Sequence, residues 1–308
     1  MPLQVKIGIN PICWMNDDLP SLGGETSLEE VLAEGRRIGY RGFELGNRFP
    51  REPAALRAVL GAHGLECVSG WYPGRLAGRA AEEEIREVEP HLRLLAENGA
   101  RVMIYGEAQD AIQGELAVPL HKRPRFRTAD EWKAYGDRLT AFGRHLLRRG
   151  VRLAYHHHVG AYVETPADVD ALVSVTGEEV GLLLDTGHAV FGGGGAAELL
   201  RNHVGRVCHV HCKDVRPAVA RMARNRAWSF LQAVLSGVFT VPGDGAIDFG
   251  AVLAVLDRHG YRGWLVVEAE QDPAVAPSSA FAEKGFRHLD TLVRRMARSG
   301  EEGREITA

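Results

Sequence analysis

The sequence predicts an α/β protein built as a single (β/α)8 TIM barrel, and three observations carry that prediction. Short apolar runs alternate with longer amphipathic ones eight times along the chain. Glycine punctuates the ends of the amphipathic runs, at Gly39, Gly64, Gly99, Gly150, Gly205 and Gly260, as it does where helices stop. No G-x-G-x-x-G follows the first apolar run, which weighs against the alternative, a doubly wound open sheet that binds a dinucleotide. Repeated alternation makes parallel strands with right-handed crossovers, and eight such units close on themselves.

The strands are expected at Lys6–Ile12, Gly42–Gly46, Glu66–Trp71, Arg101–Gly106, Arg152–His157, Gly181–Asp185, Arg206–His211 and Trp264–Glu268. Each is short, rich in branched or aromatic residues, and ends in polar ones. The first helix opens on Ser27-Leu-Glu-Glu, a capping box. Pro53–His63 places Leu56, Val59 and Leu60 at helical spacing, and Glu82–Asn98 does the same with Ile85, Val88, Leu92 and Leu95. Thr128–Arg149 opens on a second box, Thr128 with Glu131; Thr165–Val175, Ala196–His203, Asp248–His259 and Ser279–Met296 complete the helices. The barrel takes residues 1–296, and the polar stretch 297–308 is expected to be a disordered tail.

Two connections are long, Glu107–Arg127 and Asp214–Asp248, and both follow a strand, which puts them over the C-terminal mouth of a barrel. The first contains the basic cluster His121–Arg127, read as a solvated loop or, alternatively, as a lid over a polar ligand. The second contains Val241–Phe249, turn chemistry with Asp248 as the next N-cap, expected to shape the pocket rim.

Composition narrows the function classes. With 308 residues, 45% hydrophobic and 25% charged, the chain is globular rather than disordered. A net charge of −3 offers no basic stripe for nucleic acid. No apolar run reaches the ~18 residues of a membrane span. Cys13, Cys67, Cys208 and Cys212 without a charged-then-apolar leader point to free thiols in a reducing cytoplasm. Gly192–Gly195 lacks a following Gly-Lys-Ser/Thr, and no G-x-S-x-G elbow is present, so neither a phosphate loop nor a serine hydrolase is supported.

The chemistry gathers at the strand ends. His156-His157-His158, Asp185-Thr-Gly-His188, His209-Val-His211-Cys-Lys213 and Glu268-Ala-Glu270 close four successive strands. Alternate residues share a face, so His156 goes with His158, Glu268 with Glu270, and His209 with His211 and Lys213. Cys208 and Cys212 fall on the opposite face and read as core thiols. If the histidine face points inward, His156, Asp185, His211 and Glu268 form a mixed N/O set suited to a borderline divalent cation, Mn²⁺, Co²⁺ or Zn²⁺. The first half of the chain adds polar and aromatic groups at the same mouth: Asn10, Trp14, Glu44, Trp71 and Glu107, with His158 from the fifth strand, are the expected substrate wall, suited to a polyhydroxylated ring.

These stretches resemble the xylose isomerase-like barrel superfamily, and within it the inosose dehydratases of inositol catabolism. The resemblance rests on IGINPICWMNDDLP, GFELGNRFPR, VSGWYPGR, RLAYHHHVG, VGLLLDTGHAVF, HVHCKDVRP and GWLVVEAEQDPAVAP, and covers nearly the whole chain up to about residue 290. It implies one divalent metal on Glu, Asp, His and Glu of strands five to eight. Asp185, His211 and Glu268 match the last three positions, while the first falls on His156, with His158 close by. The resemblance further implies removal of water from 2-keto-myo-inositol to give a trihydroxycyclohexane-1,2-dione. His188, Lys213 and Glu270, each expected beside the metal, are the candidate acid and base. Glutathione is associated with that family, without an identified site, and barrels of the superfamily often associate, so a homo-oligomer is the expectation by analogy. A sugar isomerase or epimerase on the same barrel is the alternative; the loss of one carboxylate at position 156 favours elimination over epimerisation.

Overall fold

The structure, a computed structural model, describes residues 3–17, 19–23 and 25–305, the side chains of 299–305 excepted. The strands are β1 (Gln4–Ile9), β2 (Gly42–Leu45), β3 (Glu66–Gly74), β4 (Val102–Glu107), β5 (Arg152–His156), β6 (Val180–Asp185), β7 (Val207–Cys212), β8 (Asp214–Val215), β9 (Phe239–Thr240) and β10 (Arg262–Val267). The helices are α1 (Leu28–Ile38), α2 (Pro53–Ala62), α3 (Ala81–Glu97), α4 (Ala129–Arg148), α5 (Pro166–Val175), α6 (Thr186–Phe191), α7 (Ala196–His203), α8 (Pro217–Asn225), α9 (Phe230–Leu235), α10 (Phe249–Arg258) and α11 (Ser278–Glu305). Parallel pairing in the order β1-β10-β7-β6-β5-β4-β3-β2 closes the barrel, and β8 with β9 forms a small antiparallel ribbon outside it.

Strand alternation divides the core. Outward residues such as Ile9, Phe43, Tyr105, Val210 and Val267 pack under the helices in one large cluster. Inside the barrel, Ile104, Ala154 and Leu183 form a small dry plug, with Trp71, Val102 and Cys208 against it. The polar strand ends sit above this plug. Cys208 departs from the expected outward face. The register slips there, Leu182 pairing with Val207 and Leu183 with His209, so the bulge turns Cys208 to the inner cluster.

Both capping boxes are present, at Ser27–Glu30 and Thr128–Glu131. Two more occur, Thr165–Asp168 and Ser229–Gln232. Helix α11 continues past residue 296 to Glu305, so the stretch expected as tail is helical over most of its length; residues 306–308 lie outside the described residues. Among the described residues no helix is long and apolar enough to cross a membrane.

The long connections are pinned. Within the basic cluster His121, Lys122, Arg125 and Arg127 are exposed, as expected of a solvated loop, whereas Arg123 is neither solvated nor aimed at a ligand. It is buried, pairs with Asp168 at 2.6 Å and Glu164 at 3.3 Å, and donates to the carbonyls of Ala161 and Tyr162. Backbone bonds from Ile112 to Gly160 and from Leu120 to Trp228 tie the same connection to its neighbours. The loop before α10 is organised by one side chain. Asp214 accepts from the amides of Val215, Gly243, Gly245 and Ile247 at 2.8 to 3.1 Å. Asp248 caps α10 as expected, but residues 241–248 do not line the central cavity; they are drawn onto Asp214 instead.

Glycine allows the aromatic wall to form. A Cβ at Gly106 would lie 1.9 Å from the Trp71 ring. Gly106→Ala is therefore expected to cost about 1–3 kcal/mol, read as a lowered urea midpoint, and to alter tryptophan emission. An unchanged midpoint and spectrum would contradict this packing.

Candidate active site

β5, β6, β7 and β10 deliver their last side chains to one point because all four run in the same direction and end at the same rim. His156 Nε2 and His211 Nδ1 each stand 3.5 Å from Asp185 Oδ2. His211 Nδ1 also touches Glu268 Oε2. One nitrogen or oxygen from each of these four buried residues lies within 4.8 Å of all the others. Asp185 Oδ2, His211 Nδ1 and Glu268 Oε2 are buried without an aligned hydrogen bond, which is costly unless something else satisfies them.

Three of the four donors are oriented by their other end. Asp185 caps α6, its Oδ1 accepting from His188 N at 2.8 Å, so Oδ2 is left for the cluster. His156 Nδ1 donates to the His157 carbonyl at 2.9 Å, which leaves Nε2 with its lone pair. His211 Nε2 faces Glu44 at 3.1 Å, which leaves Nδ1 for the cluster. The charge balance points the same way. Burial alone would depress the His211 imidazole, yet Glu268 and Glu44 hold it well above its ordinary range. Four buried carboxyl groups, Glu44, Asp185, Glu268 and Glu270, face two cationic groups, the Lys213 ammonium and the His211 imidazole. A divalent cation fits both the donor set and this excess of negative charge.

Beside this cluster lies a second one. Lys213 Nζ bridges Glu270 at 2.8 Å, Asp185 at 3.3 Å and Glu268 at 3.6 Å. Burial opposes its charge, but the three carboxylates overrule burial and raise its pKa, which favours the ammonium. Burial pushes the Glu270 carboxyl up to about 7, with Lys213 opposing. The peptide groups of Val159 set two histidines to opposite tautomers. His158 Nδ1 donates to the Val159 carbonyl at 2.8 Å, leaving Nε2 bare. His188 Nδ1 accepts from the Val159 amide at 3.2 Å, so its proton sits on Nε2, 3.7 Å from Glu270 Oε1. Burial holds both imidazoles well below their ordinary pKa.

A cavity of about 560 Å³ opens onto both clusters. Asn10, Trp71, His156, His158, Glu268 and Glu270 line it. Three residues expected on the substrate wall face elsewhere. Trp14 sits on a 3₁₀ turn and donates from Nε1 to Glu34 at 2.7 Å, away from the mouth. Glu107 shares the outward face of β4 with Tyr105 and accepts from Tyr105, Ala77 and Gln109. Glu44 lies on the inner face but below the cavity, bound to His209, His211, Ser69 and Asn10. The cavity also has walls that strand-end reasoning missed: Arg51, His91 and Gln113. His91 Nε2 and Gln113 Oε1 are buried and unpaired there, free to meet a ligand.

Residues 32–292 match the profile of the xylose isomerase-like TIM barrel family. The chain belongs to that family. Over 287 residues it is 50% identical to the "Rhizopine catabolism protein MocC" of Rhizobium meliloti, covering 93% of this chain and 88% of that one. It is 42% identical to an "Inosose dehydratase" of Geobacillus thermodenitrificans, covering 93% and 96%. The crystal structure titled "IOLI protein with a binding zinc atom" superposes with a TM-score of 0.67 at 17% identity, over 95% of this chain and 98% of that one, a likeness of fold. For a xylose isomerase-like barrel, the mouth cluster stands at the strand ends where barrel enzymes keep their chemistry.

Burying neutral imidazoles has a measurable consequence. Burial lowers the His91 pKa from 6.5 to about 4. Between these values the unfolded chain binds the proton and the folded one does not, so stability falls as pH drops below about 6.5. His91→Leu is expected to flatten that slope by about one proton, read from urea midpoints at pH 7 and pH 5. An unchanged slope would show that His91 titrates normally.

Proposed function

We propose that this protein is a hydro-lyase that removes water from 2-keto-myo-inositol in inositol catabolism, giving the trihydroxycyclohexane-1,2-dione. The observation that carries the reading is the 42% identity to an inosose dehydratase over nearly the full length of both chains, joined to a cavity that ends on a buried metal-type donor set. His156, Asp185, His211 and Glu268 are the proposed ligands of one divalent cation, Mn²⁺ or Co²⁺, with Zn²⁺ also suited to the set. Bound there, the cation would act as a Lewis acid toward a ketone oxygen.

The remaining chemistry belongs to protein groups. A proton α to the ketone must leave, and the β-hydroxyl must depart with a proton as water, so one base and one acid are needed within reach of the ring. His158 and Glu270 are the proposed pair, since both line the cavity. His158 offers a bare Nε2 to it. Lys213 holds Glu270 from behind as an ammonium, donating at 2.9 Å, and the His188 imidazole stands beside it at 3.7 Å. They position the carboxyl, whereas Glu270 itself exchanges the proton. Asn10, Trp71, Gln113 and His91 would face the ring and its hydroxyls.

The deciding test is an anaerobic ultraviolet assay with 2-keto-myo-inositol after chelator treatment, with Mn²⁺ or Co²⁺ restored and reduced glutathione added as a separate variable. A diketone absorbance that depends on metal is expected. Conversion of the ketone to an epimer without loss of water would instead favour the isomerase reading. His211→Ala is expected to abolish both metal binding and turnover; turnover retained with complete metal loss would sink the ligand set. Exchange of the α-hydrogen with deuterated solvent separates acid from base. Of His158→Gln and Glu270→Gln, the variant lacking the base loses exchange, and the variant lacking the acid keeps exchange without elimination. Gln113→Leu should raise KM several-fold with little change in kcat, because its role is uniform binding.

A further inference from the structure

We infer that Glu44 is a positioning residue that orients His211 at the barrel mouth and is not itself a metal ligand. The inference rests on the proposed ligand set of His156, Asp185, His211 and Glu268. Glu44 leaves β2 on the inner face and is fully enclosed. Its Oε1 accepts from Ser69 Oγ at 2.9 Å, from His209 Nε2 at 2.7 Å and from His211 Nε2 at 3.1 Å. Its Oε2 accepts from Asn10 Nδ2 at 2.8 Å. Asn10 is held in turn, because its Oδ1 accepts from Ile12 N at 2.9 Å.

Three groups of side chains at this mouth have the types and spacing to hold a metal. Proton placement separates them. In Glu44–His209–His211 both imidazoles point Nε2 at a carboxylate oxygen in hydrogen-bond alignment, so these nitrogens carry protons and have no lone pair to give. In His158–His188–Glu270, the Val159 amide occupies the His188 Nδ1 lone pair, so His188 Nε2 carries the proton. Among the described residues, only His156–Asp185–His211–Glu268 brings close donor atoms together with three of them lacking an aligned hydrogen bond.

His211 belongs to two groups and shows how they cooperate. Its Nε2–H is committed to Glu44, which leaves Nδ1 as the nitrogen that faces Asp185 and Glu268 and would give its lone pair to a cation bound there. A carboxylate on the far nitrogen of a ligating histidine fixes the tautomer, locks the ring and raises its basicity. Glu44 is itself locked by donors from Asn10, just past β1, and from β3 and β7, so the ring cannot swing without breaking a four-donor node.

The test is calorimetric titration of chelator-stripped protein with Mn²⁺ alone, together with the visible spectrum of the Co²⁺ form. Wild type is expected to bind one ion. Glu44→Gln should still bind one ion with Kd raised about 10–100-fold and with altered Co²⁺ bands, because His211 is no longer held. Glu44→Asp keeps the charge but cannot reach every donor; it should fall between the two, and it carries the test if Glu44→Gln does not fold. Wild-type affinity in the folded variants would overturn the positioning role. A fall from two ions to one on removing Glu44 would overturn it too, by making Glu44 a ligand. Wild type that takes up no Mn²⁺ would overturn the ligand set itself, and the inference with it.

Discussion

Burying negative charge at one end of a closed barrel is the constraint on which the rest of this mouth depends. Glu44, Asp185, Glu268 and Glu270 are all shut away from water, and each carboxylate so buried costs several kcal/mol unless it is compensated. Every neighbouring feature supplies compensation. Helix α6 begins on Asp185, so its amide N–H groups face one oxygen. His209 and His211 donate to Glu44. Lys213 reaches three carboxylates at once, and it can do so because residue 187 is glycine: a Cβ there would stand 2.6 Å from the lysine stem. The short run Asp185-Thr186-Gly187-His188 thus provides a ligand-type oxygen, a gap for the lysine and an N–H donor in a single turn.

The fold was legible because its signal is periodic. Eight apolar runs, two capping boxes and a row of terminal glycines all say the same thing. The inner face was legible for the same reason: parity put His156, His211, Lys213, Glu268 and Glu270 together before any contact was known. Where reasoning failed, parity had been interrupted or set aside. Glu107 lies an odd number of residues from Ile104 and shares its face with Met103 and Tyr105, so alternation alone would have sent it outward. Trp14 follows Pro11–Cys13, a 3₁₀ turn with a different period, and strand counting cannot extend across it. Cys208 is the residue inserted at a bulge, invisible without its partner strand. Gln113 and His91 come from a connection and a helix, where no local period aims a side chain at the mouth. One trace of His91 was present: Gly70 in β3, where a Cβ would lie 2.9 Å from the imidazole.

The same constraint gives a physical meaning to the histidine at position 156, where the superfamily resemblance implies glutamate. The buried carboxyl groups of Glu44, Asp185, Glu268 and Glu270 already outnumber the cationic groups that face them, Lys213 and His211. A divalent cation on the proposed ligands would offset that excess. A glutamate at 156 would add one more buried negative charge at the same point. Histidine avoids this. It keeps a lone pair on Nε2 because its Nδ1 is committed to a backbone carbonyl, and it adds a donor without a charge. On the proposed ligand set, histidine at this position would also bias which reactions the mouth supports. Epimerisation at a carbon beside a ketone is best served by two carboxylates on opposite faces of the ring, one taking the proton and one returning it. With an imidazole at 156, the remaining free carboxyl is Glu270, tethered to Lys213 and His188 on one side of the cavity. Acid–base groups gathered on one side suit a proton taken and a hydroxyl released in sequence, the balance that loss of water requires. On the proposed ligand set, the tuning of charge that lets the barrel bury these donors and a bias toward elimination would both follow from one histidine.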